Sequence, residues 1–113
     1  MVKLAGEYRF ELRLRKLFER AGFVVIKCAR SKPFDLIVMK GGKIVAIEVK
    51  SGRGRVTREQ LEMQRRLASQ AGVDYAILRQ RKRGRIRVSS FRGLLSKEAL
   101  IEIENALGRW LVK

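Results

Sequence analysis

The sequence contains no histidine, a single cysteine (Cys28) and a single proline (Pro33), and its 11 acids stand against 27 lysines and arginines. Each shortage excludes something. Without histidine there is no Ser-His-Asp triad and no Cys-His pair, and one thiol cannot build a zinc finger. A lone cysteine forms no disulfide within the chain, so nothing points to an oxidising compartment. No apolar run approaches the roughly 20 residues that span a bilayer. The first residues, Met1 to Glu7, carry no signal-peptide core. The expectation is a soluble, cytoplasmic protein. With 113 residues, of which 46% are hydrophobic, the chain reads as one domain, 1–113, too apolar for a disordered basic tail.

What is abundant is positive charge. A formal net charge of +16 favours polyanionic partners. A membrane surface would ask for a basic amphipathic helix with a broad apolar face or a lipidation site, and neither is evident. Nucleic acid is the better partner. Charge alone does not separate an enzyme from a protein that only binds the backbone.

Along the chain, Leu4 to Ala21 reads as a helix, with Phe10, Leu14, Leu17 and Phe18 at helical spacing and Gly22 as its stop. Phe23 to Cys28 is a short strand, followed by a basic loop, Ala29 to Pro33. Phe34 to Met39 is a strand, and Lys40-Gly41-Gly42-Lys43 is a two-residue hairpin signal returning as a strand from Lys43 to Lys50. After the basic loop Ser51 to Val56, Thr57-Arg58-Glu59-Gln60 fits a capping box. The helix it opens runs to about Ala71, with Leu61, Gln64, Leu67 and Ala68 on one side. Tyr75 to Leu78 is a strand, Ile86 to Val88 a weaker one, and Ser96 to Trp110 a final helix. The order α-β-β-β-α-β, then a weak strand and a helix, implies an α/β fold: a mixed central sheet flanked by helices.

The hairpin also fixes a register. If Gly41 and Gly42 form the turn, Lys40 pairs with Lys43, and five steps back Asp35 lies opposite Glu48. Lys50, two residues beyond Glu48, shares its face. Two facing carboxylates repel unless something positive lies between them. One solution is a divalent metal, for which Asp and Glu oxygens suit Mg²⁺ or Mn²⁺. The other is a partly buried Glu48–Lys50 ion pair, with Asp35 capping its strand. Asp35 and Asp74 are the only aspartates, so acids are scarce in this chain. The first helix offers a third acid in Glu7 or Glu11, one turn apart on one face.

These residues resemble a known pattern. Pro33-Phe34-Asp35, with Glu48-Val49-Lys50 downstream, is similar to the PD-(D/E)XK signature of the restriction-endonuclease-like nucleases. The finer resemblance is to archaeal Holliday junction resolvases of the Hjc type. Their first-helix Glu stands eleven residues before a Gly-Phe pair, which selects Glu11 ahead of Gly22-Phe23. Their serine four residues before the Asp is matched by Ser31. Ile47-Glu48-Val49-Lys50 and the later Glu59-Gln60 also agree, and the likeness extends from about Gly6 to Leu78. The chain departs from the family's Glu-Arg-Glu by reading Glu11-Leu12-Arg13, and its proline is displaced by one residue from the Asp.

The resemblance implies metal-dependent phosphodiester hydrolysis leaving a 5′ phosphate and a 3′ hydroxyl. Asp35, Glu48 and the main-chain carbonyl of Val49 would hold Mg²⁺, with Mn²⁺ as a substitute, and Glu11 would complete the site. Lys50 would orient or deprotonate the attacking water. Arg30, Ser31 and Lys32 would contact the backbone near the cut, and Arg53, Arg55 and Arg58, with Arg65, Arg66 and the run from Arg79 to Arg87, would line the DNA. Two symmetric cuts in a four-way junction imply a homodimer. Phe91, Leu94, Leu95, Trp110 and Leu111 either form its interface or cover the sheet. The implied setting is a cytoplasmic, nucleoid-associated nuclease on branched DNA. A related nuclease on other DNA structures and a non-catalytic binder on the same fold are the alternatives.

Overall fold

Apolar periodicity in the sequence becomes layering in the chain. A computed structural model describes residues 5–29, 33–90 and 93–112. Helix α1 (Ala5–Arg20) is followed by strands β1 (Val24–Lys27), β2 (Leu36–Lys40) and β3 (Lys43–Lys50). Then come helix α2 (Arg58–Ala71), strands β4 (Asp74–Gln80) and β5 (Ile86–Ser89), and helix α3 (Lys97–Leu107). The strands lie in chain order across one sheet, β1 to β5. β3 and β4, joined through α2, are parallel; the other neighbours are antiparallel. This is the mixed sheet expected from the pattern.

The hairpin sets the register because Gly41 (φ 56°) and Gly42 (φ 81°) both take the left-handed conformation of a tight two-residue turn. Lys40 pairs with Lys43, and the ladder runs regularly to Leu36 with Ile47. Successive residues then alternate faces. On one face Leu36, Val38, Val45, Ile47, Val49, Ala76 and Leu78 meet α1 (Phe10, Leu14, Phe18) and α3 (Ala99, Ile103, Leu107) in the main core. On the other face Ala46 and Tyr75 meet Ala68 of α2, with Phe34 beside them.

The capping box forms as read, the Gln60 N–H donating to Thr57 Oγ1 at 3.1 Å. The last helix is shorter than its apolar spacing implied. Ser96 caps its start by accepting the Ala99 N–H at 3.1 Å, and it stops at Leu107 because Gly108 (φ 57°, ψ −130°) turns the chain. Leu111 then bridges to Ile86. Asp74 is structural: its Oδ2 accepts from the Ser96 N–H at 3.0 Å and Oγ at 2.7 Å. Of the residues offered for a dimer surface, Phe91 lies outside the described residues. Leu94 packs with the α2 cluster, and Leu95, Trp110 and Leu111 pack on the main core, so these four cover the sheet. No helix among the described residues is long and apolar enough to cross a membrane.

Candidate active site

The acids gather where the regular ladder ends. After Leu36–Ile47, a continued ladder would pair Phe34 with Val49. Instead the Asp35 N–H donates to the Ile47 carbonyl at 2.9 Å, and the Val49 N–H donates to Asp35 Oδ2 at 2.8 Å. The pairing thus stops one step short of the direct Asp35–Glu48 opposition expected from the hairpin. A carboxylate has taken the place of a main-chain acceptor, and β2 begins at Leu36 rather than Phe34 for that reason. The Asp35 carbonyl accepts the Cys28 N–H at 3.0 Å, which fixes the residue to the β1 side as well.

Glu48 projects from the middle of the sheet toward α2. Its Oε1 accepts from Gln64 Nε2 at 2.7 Å, and its Oε2 lies 3.4 Å from Lys50 Nζ. Asp35 and Glu48 are 5% and 4% exposed. Burial first, and then the charge of Asp35, push the Glu48 carboxyl above the ordinary carboxylate range, with Gln64 and Lys50 pulling it back. Both features of the ion-pair reading are therefore present: Lys50 beside Glu48, and Asp35 closing its strand.

Glu11 is also buried, at 3% exposure. It descends from α1, on the sheet face opposite the one that carries Glu48 and Lys50. Among the described residues no three His, Cys, Asp or Glu side chains group so as to hold a metal ion, so Glu11 does not form a three-acid cluster with Asp35 and Glu48. Glu7 approaches from the start of α1: its Oε2 and Lys50 Cδ lie 3.7 Å and 3.5 Å from the point where a side chain on Gly54 would begin. That point is also 3.3 Å from the Ser51 carbonyl, so a larger residue there would press on the loop's own backbone. Arg79 donates to the Gly54 carbonyl and pins the loop against β4.

Arg30, Ser31 and Lys32 lie outside the described residues. Arg53, Arg55 and Arg58 are exposed on and just after the loop. Arg53 and Ser51, with Arg81 and Lys82, border a groove of about 550 Å³ beside Lys50. A second basic surface escaped the sequence reading. Arg9, Arg13, Lys16 and Arg20 recur at helical spacing along α1 and, with Arg109, border a groove of about 410 Å³ containing no acid. The guanidiniums of Arg13 and Arg109 lie 4.6 and 4.7 Å from the centre of the Trp110 ring. The spacing was the available signal. Gln64 was legible only as part of an apolar helix face; a polar residue on such a face was the sign of a partner beneath it.

Fold and site together define a class, that of the restriction-endonuclease-like nucleases: a mixed sheet with helices on both faces, Asp just ahead of one strand and Glu-x-Lys on the next. The sequence matches the family described as archaeal Holliday junction resolvase (Hjc) over residues 2–108, and the chain belongs to that family. Membership makes it an endonuclease of DNA recombination and repair. Among solved structures it is similar to the Hjc of Archaeoglobus fulgidus, a Holliday junction resolvase from an archaeal hyperthermophile, at 24% identity and a TM-score of 0.66. That likeness covers 74% of this chain and 71% of the other, and it supports the fold. No curated protein sequence matches the chain.

Proposed function

We propose that this chain resolves four-way DNA junctions by divalent-metal-dependent phosphodiester hydrolysis, as a homodimer that makes paired symmetric nicks. The observation that carries the reading is the pair of buried carboxylates, Asp35 and Glu48, brought together where the regular ladder breaks, with Lys50 beside Glu48. The donor set fits Mg²⁺ or Mn²⁺ in kind: hard carboxylate oxygens, few in number, leaving room for water and substrate phosphate. The Val49 carbonyl belongs to the same set, because the N–H of that residue already faces Asp35 and both groups of a strand residue point to one edge. When bound, the cation supplies a more acidic water and charge stabilisation at the phosphate.

Asp35 and Glu48 would hold that cation. Lys50, partly exposed at the mouth, orients or deprotonates the attacking water and offsets charge developing on the phosphate. Arg53, Arg55 and Arg58 hold the backbone alongside, and Arg30, Ser31 and Lys32 join them in contacting it near the cut. Glu11 enters the proposal as the acid of α1 rather than as an established ligand.

A dimer is supported by an uncovered corner of the sheet. Val24, Ile26 and Ile44 are 59%, 47% and 40% exposed and lie on the face that carries Glu48, beyond the reach of α2. A second copy is the occupant that a two-cut reaction requires.

The test is incubation with Mg²⁺ and labelled four-way junction, flap and linear duplex of matched length. Paired symmetric nicks confined to the junction are expected, abolished by Asp35→Asn and Lys50→Ala. Equal cutting of linear duplex would assign the chain to a different nuclease activity. Tight binding without cutting, indifferent to those substitutions, would leave only a binder. Glu11→Gln in the same assay separates chemistry from packing: lost cutting with native junction binding places Glu11 in the reaction.

A further inference from the structure

Among the described residues, Gln64 is, apart from the tyrosine hydroxyl it meets, the one buried polar side chain that is not an acid. It is fully buried on α2, on the face that otherwise sets Leu61, Leu67 and Ala68 against the sheet. An amide in such a layer is costly unless its hydrogen bonds are recovered, and leucine would pack there without that demand. All of its donors are in use. Nε2 donates to Glu48 Oε1 at 2.7 Å and to the Pro33 carbonyl at 2.6 Å. Oε1 accepts from the hydroxyl of Tyr75, itself fully buried on β4. The amide has only one workable orientation. Turned over, its oxygen would face a carbonyl and a carboxylate, neither with a proton to give.

We infer that Gln64 is a positioning residue for the nuclease site, holding Glu48 by one oxygen and the chain just before Asp35 by the Pro33 carbonyl. The inference rests on the reading of Asp35 and Glu48 as the metal-holding pair. Its logic is geometric. Beyond Leu36–Ile47 no regular ladder sets the spacing of the two acid-bearing segments, and one side chain from the overlying helix touches both. The amide takes Oε1 of Glu48 and leaves Oε2 toward Lys50. Being neutral, it fixes the carboxylate without cancelling the charge that draws a cation, as an arginine in its place would. Tyr75 stands behind it and selects the orientation that presents nitrogen to Glu48.

The experiment compares the wild-type chain with Gln64→Met, which keeps the volume, Gln64→Glu, which sets an acceptor against acceptors, and Tyr75→Phe. Four quantities are read: thermal melting, junction affinity without divalent metal, Mn²⁺ affinity of the DNA-free protein by calorimetry, and kcat and KM for junction cleavage in Mg²⁺. Outer partners of metal ligands typically carry about 10–100-fold in affinity or activity. Gln64→Met is expected to fold, to bind junction within about twofold of wild type, and to lose about tenfold or more in both Mn²⁺ affinity and kcat, with KM unmoved. Gln64→Glu is expected to lose more, and Tyr75→Phe to move the same two quantities less. Folded Gln64→Met with wild-type Mn²⁺ affinity and kcat overturns the inference. If the Gln64 variants do not fold, Tyr75→Phe decides: Mn²⁺ affinity and kcat equal to wild type overturn it. A wild-type chain that neither binds Mn²⁺ nor cuts junction defeats the nuclease reading itself, whereas an active wild type with indifferent variants defeats only the role of Gln64.

Discussion

Glu48 sits where burial and a neighbouring acid oppose its ionisation. Burial and Asp35 raise its pKa relative to the unfolded chain, so the folded state favours the protonated acid. The stability this contributes is present below the unfolded carboxylate pKa and is lost as pH rises through the higher folded value. In metal-free buffer, Glu48→Gln is therefore expected to melt higher than wild type at neutral pH, while abolishing cleavage. The gap should close as pH falls into the carboxylate range. Melting curves across pH check this, and a gap that widens on acidification would contradict the sign. Asp35, Glu48 and Lys50 were legible in the sequence because a glycine turn counts residues along both strands. Glu11 was not, because helical spacing tells which side of α1 an acid occupies and not which face of the sheet that side meets. The shared amide of Gln64 was hidden for the same reason: it joins elements that no local pattern relates.

At the level of elements, the strands and α2 could be read closely because turn glycines and a capping box mark their ends. The last helix could not, since Leu107 and Trp110 keep the apolar spacing while Gly108 breaks the backbone between them. With φ 57° and ψ −130°, Gly108 holds a conformation that side chains resist. It brings Leu111 to Ile86 and seats Trp110 under Arg13. Gly108→Ala is expected to cost about 1–3 kcal/mol in urea unfolding. The groove beside α1 should loosen with it. An unchanged midpoint would show that the turn relaxes without strain.

Across the whole molecule, the basic surface is what the family's branched DNA would meet, and the exposed apolar corner is the face that the proposed dimer would use. The α1 stripe stands apart from the loop arginines, so its share of backbone binding can be removed alone. Replacing Arg9, Lys16 and Arg20 by Gln is expected to make log affinity for junction less steep in log salt, by roughly 0.9 for each phosphate no longer neutralised. Fluorescence anisotropy from low to moderate salt measures the slope, and an unaltered slope removes the stripe from the interface. The joint change Val24→Glu and Ile26→Glu is expected to yield monomers in sedimentation and to uncouple the paired nicks. A dimer that persists would place the interface elsewhere. The net charge of +16 predicted the polyanion; the uncovered sheet corner was visible only once α2 was seen to shield β3 and β4 and not β1.

The tie between Asp35 and the Val49 N–H bears on how inactive descendants of such a chain are recognised. An acid that closes two strands is retained by selection for folding even after selection for cutting has lapsed. Its survival in a relative is weak testimony of activity. Among the described residues Lys50 bonds no backbone group and pairs only with the Glu48 carboxylate, so no strand pairing depends on it once cutting has lapsed. Of the signature residues, the lysine is therefore the sharper diagnostic: its loss beside a preserved aspartate marks a chain that still folds, still carries its basic surface, and has stopped cutting.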